Sequence, residues 1–144
     1  MEQRRTLMMA LGRTRRAWTN HIKTVASSIG IPESYHVVIL YLSRNPGANQ
    51  RKIAEFSNVT TSAINQTLKG MIADGYVQKE TDGCDRRNSK LFLTEKGERV
   101  ALLLREKLHR SDEKITNMIT PEKEAEMIAI LDRIHECLQE ELMC

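Results

Sequence analysis

Two breaks, Asn45-Pro46-Gly47 and Asp74-Gly75, enclose a stretch with room for two short helices and the turn between them. Inside it, Asn49 is a good N-cap for a helix over residues 50–56, with Ile53, Ala54 and Phe56 expected to face inward. Ser57-Asn58-Val59 reads as a tight turn, and Asn tolerates the left-handed backbone such a turn needs. Thr60 caps a second helix running to Ala73, with Ile64, Leu68 and Met71 as its apolar stripe. Ala54 falls where the two helices must approach closely, and Ile64 packs back under the first. This spacing fits a helix-turn-helix.

The flanks are helical, with one exception. Leu7, Leu11, Trp18, Ile22, Val25 and Ile29 recur at helical spacing until Gly30, and residues 33–44 form a second helix with Val38, Ile39 and Leu42 as core. The exception is the pair of runs 76–80 and 89–93 around the polar, Gly-containing stretch 81–88, which predicts a β-hairpin. Thr94 then caps a long helix through Val100, Leu103, Leu104 and Leu108. Thr120-Pro121 opens the last one, carrying Met127, Ile130, Leu131, Ile134, Leu138 and Leu142. Aromatic residues are only 4% of the chain, so the core leans on aliphatic side chains, which suits helices better than a β-sandwich. The expected class is mainly α with a small β-hairpin wing: a winged helix-turn-helix over 31–95, flanked by helices at 1–30 and 96–144.

Charge and cysteines exclude several alternatives. The net charge of +3 is modest; residues 51–110 lean basic, while 121–144 hold seven acids against Lys123 and Arg133. This permits a nucleic-acid partner without establishing one. The three cysteines, Cys84, Cys137 and Cys144, are odd in number and contain no CxxC, so neither a disulfide framework nor a zinc finger is indicated. His21, His36, His109 and His135 lack metal-ligand spacing, and no metal or cofactor is expected. No apolar run reaches membrane length, and a reduced cytoplasmic setting is expected. No Ser-centred elbow or phosphate loop is present, which argues against an enzyme.

With Ile64, Leu68 and Met71 inward, Ser62, Gln66 and Lys69 fall on the opposite face, Asn65 at its edge and Thr61 at its exposed start. Asn and Gln can bond adenine edges in pairs, Ser and Thr are adaptable, and Lys69 suits a phosphate. A solvated polar face is the competing reading. The hairpin favours the first. Asp85-Arg86-Arg87-Asn88 puts Arg at an exposed tip, where it can enter a narrow minor groove, and Asp85 can brace the Arg87 guanidinium.

Residues 31–100 resemble the MarR (multiple antibiotic resistance regulator) family of winged-helix transcription factors. The most specific stretch is Asp85-Arg86-Arg87-Asn88-Ser89-Lys90-Leu91-Phe92-Leu93-Thr94-Glu95-Lys96-Gly97, which is similar to the family's D-x-R wing running into L-T-x-x-G. Ala73-Asp74-Gly75-Tyr76-Val77 resembles its K-x-G-L-V exit from the recognition helix. The resemblance implies a DNA-binding surface of Thr61, Ser62, Asn65, Gln66, Lys69, Asp85, Arg86 and Arg87. Gly70 departs from the family, which usually has a longer residue there. Gly costs about 1 kcal/mol inside a helix, so it is expected to relieve crowding against a neighbour.

The terminal helices carry apolar stripes that a small winged domain could not cover alone, and exposed they would form an interface-like patch. The resemblance implies intertwined terminal helices and a twofold homodimer whose reading heads sit one DNA turn apart on a pseudo-palindromic operator in double-stranded DNA. It also implies response to a small aromatic effector, with Trp18, His21, His36 and Tyr41 as the leading candidate lining and Tyr35 as a further candidate. The leading expectation is therefore a ligand-responsive repressor. Two alternatives stay open: a redox-responsive regulator using Cys84, and a winged-helix module that binds protein without DNA. Oxidant-sensing relatives often carry a cysteine in the first helix, and this chain has none there.

Overall fold

A computed structural model describes residues 5–81 and 88–143. The chain forms α1 (Leu7–Ser28), α2 (Tyr35–Arg44), α3 (Gln50–Ser57), α4 (Thr61–Ala73), β1 (Val77–Glu80), β2 (Lys90–Leu93), α5 (Glu95–Thr116) and α6 (Pro121–Met143). This is the expected helical architecture with a two-stranded antiparallel hairpin. It divides into two compact units, Met1–Lys107 and Leu108–Cys144. Cys84, Asp85, Arg86 and Arg87, expected in the wing from the sequence, lie outside the described residues.

In the first unit the helices start where side chains can replace missing backbone partners. Thr6, Asn49 and Thr60 accept from the backbone N–H of Met9, Lys52 and Ala63 at 3.2, 2.9 and 3.2 Å. Each satisfies a donor that the helix cannot, and such a cap is typically worth ~1 kcal/mol. Asn58, between α3 and α4, has φ +55°, the left-handed turn expected of it.

The core is built from Val38, Ile39 and Leu42 of α2, Ile53 and Ala54 of α3, and Ile64, Leu68 and Met71 of α4. Val77, Leu91 and Leu93 of the hairpin and Ala101 and Leu104 of α5 are buried as well. Fully burying one aliphatic side chain contributes about 1.5–3 kcal/mol, so these residues supply the main drive for the fold.

Phe56 does not join them. It is 71% exposed, its ring 4.9 Å from that of Tyr41. At 100° per residue it stands about 110° from the centre of the arc set by Ile53 and Ala54, too far round an eight-residue helix to reach the core.

The hairpin pairs Val77 with Leu93 and Lys79 with Leu91. Its strands begin one residue later than expected, at Val77 and Lys90. Tyr76 is committed elsewhere: its N–H donates to Met71 O at 2.8 Å and Gly75 N–H to Ile72 O at 3.1 Å. Those two bonds, around Gly75 at φ +81°, close α4 as a Schellman motif. The other edge of β2 is also occupied. Gly47 N–H donates to Leu91 O at 2.9 Å, and Leu91 N–H to Ala48 O at 3.0 Å. The break after α2 thus covers a sheet edge that would otherwise invite pairing with another chain.

The second unit holds the end of α5 and α6. Thr120 accepts from Lys123 N–H at 3.3 Å, Pro121 takes the first helical position, and Glu122 and Glu124 sit favourably in the positive first turn. Met127, Ile130, Leu131 and Leu138 share one face of α6, and each is at least 42% exposed within a single chain. No helix among the described residues is long and apolar enough to cross a membrane.

Candidate nucleic-acid interface

One side of α4 is buried through Ile64, Leu68 and Met71, which fixes what the other side offers. Thr61, Ser62, Asn65, Gln66 and Lys69 are all exposed. Their spacing of three or four residues puts them on one stripe. A shallow surface groove runs along Ser62, Asn65, Gln66, Lys69 and Gly70.

A second depression, about 150 Å³, lies between α4 and the hairpin. Asn65 and Lys69 border it as well, joined by Gln50, Lys79 and Ser89 over a floor that includes Leu68 and Leu91. Asn65 and Lys69 therefore stand on the seam between the two surfaces. Gln50, Lys79 and Ser89 escaped the sequence reading. For Lys79 a signal existed: two residues from buried Val77, it occupies the core-facing register of β1 yet is a charged residue. Gln50 also donates from Nε2 to Thr61 O at 3.2 Å, tying the start of α4 to the start of α3.

The far end of α4 is held by a polar cluster. Tyr35, at the start of α2, donates from Oη to Asp74 Oδ2 at 2.7 Å. Its ring meets that of Tyr76 edge-on, centroids 5.7 Å apart. Burial first, then the bond to Asp74 and its negative charge, raise the Tyr35 pKa from 10.0 to about 12, so the hydroxyl stays a donor. Lys96 Nζ sits 4.3 Å from the centroid of the Tyr76 ring and donates to Asp74 O at 2.7 Å. Thr94 Oγ1 donates to Gly75 O at 2.5 Å. The neighbour that Gly70 accommodates is Tyr35: a Cβ on Gly70 would stand 2.7 Å from Tyr35 Oη.

The four residues expected to line an effector site are distributed along α1 and α2. Trp18 and His21 stack with centroids 5.6 Å apart. His36 is buried, with Nδ1 hydrogen-bonded to Glu33 O. Tyr41, five residues along α2, stacks on Phe56. Cys137 is exposed. Among the described residues no group of three or more His, Cys, Asp or Glu could hold a metal ion.

Comparison with known proteins agrees with this geometry. Residues 29–88 match the model of the MarR family. An uncharacterized HTH-type transcriptional regulator of Bacillus subtilis, YybA, is 26% identical over 133 residues, covering 92% of this chain and 89% of the relative. A MarR family transcriptional regulator of Listeria monocytogenes, solved in complex with a 26mer DNA, superposes with TM-score 0.85 at 16% identity, over 95% of this chain and 91% of that one. A MarR family protein of Mycobacterium tuberculosis, solved with salicylic acid, gives TM-score 0.71 at 20% identity, over 93% of this chain and 99% of that one. At such identities the solved structures speak to the fold, and the family match speaks to the sequence of the winged-helix region. The chain is thus similar to the MarR family in sequence over residues 29–88, and shares the winged-helix fold of these solved regulators over nearly its whole length.

Proposed function

We propose that this chain is a ligand-responsive repressor that binds a pseudo-palindromic operator as a homodimer. In this reading α4 lies in the major groove. Gln66 and Asn65 read base edges, Thr61 and Ser62 adapt to them, and Lys69 neutralises a phosphate. Asp85, Arg86 and Arg87 belong to the wing that enters the adjacent minor groove. Lys79 and Gln50, which share the depression with Lys69, extend the phosphate-binding surface. The observation that carries the proposal is the exposed Thr/Ser/Asn/Gln/Lys stripe on α4, flanked at its seam by a second lysine from the hairpin. A module that bound only protein would have little use for that arrangement.

The apolar face of α6 left open in a single chain supports the dimer. Residues 1–30 and 96–144 are the proposed dimerisation segments around the DNA-binding region 31–95. The proposed effector is a small aromatic molecule, in line with the relative solved with salicylic acid. It would act by shifting the population of dimers between two spacings of the reading heads. Trp18, His21, His36 and Tyr41 are the candidate contacts.

Titration with duplex DNA at several salt concentrations tests the core of the proposal. The expected result is a steep loss of affinity as salt rises, a strong loss in Arg87→Ala, and relaxed sequence preference in Gln66→Ala. Salt-insensitive binding, or none, would reject it. Light scattering that gave only monomer at micromolar concentration would reject the dimer.

A further inference from the structure

The apolar stripe that seats α4 on the core holds it down without aiming it. Contact among Ile64, Leu68 and Met71 is non-directional, and a helix on such a seat can roll slightly about its axis. A roll of about 20° moves side-chain tips about 2 Å at a radius of about 5–6 Å, enough to break a hydrogen bond to a base edge. Directional contacts must set the roll. Such contacts stand at both ends of α4: Gln50 on the Thr61 carbonyl at the start, and at the finish Lys96 on the Asp74 carbonyl and Tyr35 on the Asp74 carboxylate, the last being the one made between two side chains.

We propose that Tyr35 is the positioning residue that sets the axial rotation of α4, and that Gly70 is the seat its phenol requires. Tyr35 Oη reaches Asp74 across the flank of α4 at Gly70, one turn before Asp74, where any side chain would collide with the hydroxyl. Gly70 directly follows Lys69 on the exposed stripe, so displacing Tyr35 displaces the reading face itself. The hydroxyl is the only atom that demands glycine: the next Tyr35 atom, Cζ, would be 3.6 Å from a Cβ there, an ordinary contact. Tyr35 and Gly70 are therefore coupled through a single oxygen. The inference rests on the reading of α4 as the base-contacting helix.

The test uses the full chain as wild type, Y35F, D74A, G70A and the Y35F/G70A double variant. Each is measured at one salt concentration against a duplex selected by the wild type from a random pool and against a random-sequence duplex, alongside its unfolding midpoint. Y35F and D74A, which add no atom and lose one hydrogen bond, are expected to lower the ratio of the two affinities by about threefold to tenfold, with random-duplex affinity unchanged. G70A is expected to lose more than tenfold, and the double variant to return to the level of Y35F. Unchanged ratios in Y35F and D74A, or a double variant as poor as G70A, overturn the proposal. If G70A does not fold, Y35F and D74A decide it. A wild type that binds neither duplex removes the DNA-binding reading itself, an outcome distinct from a wild type that binds while its variants keep their selectivity.

Discussion

Gly97, in the first turn of α5, lies directly under the carbonyl oxygen of Tyr76: a Cβ on Gly97 would stand 2.2 Å from that oxygen and 3.2 Å from the Leu93 side chain. The obstacle is backbone, held by Thr94 N–H donating to Tyr76 O at 3.0 Å, so it cannot swing aside. Glycine is required here by proximity. Gly97→Ala should destabilise the protein by about 1–3 kcal/mol, even though Ala is the better helix former. Chemical denaturation of the variant checks this, and an unchanged or raised midpoint would contradict the close approach.

Tyr35 makes stability depend on pH at the alkaline end. Its folded-state pKa is raised to about 12, by burial first and then by Asp74 and Tyr76, against 10.0 for the free side chain. A raised folded pKa means the unfolded chain gives up its proton first. The contribution is therefore fully present below pH 10 and lost as pH climbs towards 12. Unfolding midpoints measured across that window should fall more steeply in the wild type than in Tyr35→Phe. Parallel curves would show that the phenol is not protected.

Ile53 and Phe56 are three residues apart on α3 and should behave oppositely. Ile53 is fully buried and Phe56 is 71% exposed. Ile53→Ala should cost about 2–5 kcal/mol, since the cavity cannot collapse completely. Phe56→Ala should stay within about 1 kcal/mol, losing little more than its aromatic contact with Tyr41. Equal losses in thermal unfolding would mean that Phe56 is covered.

Lys69 and Lys79 border the same depression from different elements. If both meet phosphates, Lys69→Ala and Lys79→Ala should each weaken DNA binding about equally on all sequences and lower the salt slope by about 1. Fluorescence anisotropy at four or more salt concentrations gives that slope. A lysine whose loss leaves it unchanged makes no phosphate contact.

Most of the local structure was legible along the chain because its causes are local. Asn49, Thr60, Thr94 and Thr120 each accept from a backbone N–H three residues ahead, so a cap can be read within four letters. The apolar stripe of α4 follows from helical periodicity, and the exposed stripe of Thr61, Ser62, Asn65, Gln66 and Lys69 follows from it by exclusion. Phe56 was misplaced because hydrophobicity alone suggested burial, while the short helix turns it away from the core.

What the sequence alone determined was the order of elements, their caps and breaks, and which face of α4 is turned outward. All of these depend on residues within about a turn or two of one another. Tertiary structure alone decided why position 70 is glycine, that Lys79 shares a depression with Lys69, and that Gly47 and Ala48 cover the free edge of β2. The partners in those cases lie 35, 10 and about 44 residues away in the chain. Nothing in a periodic pattern records which distant atom will come within contact distance; that is set only when the helices have packed.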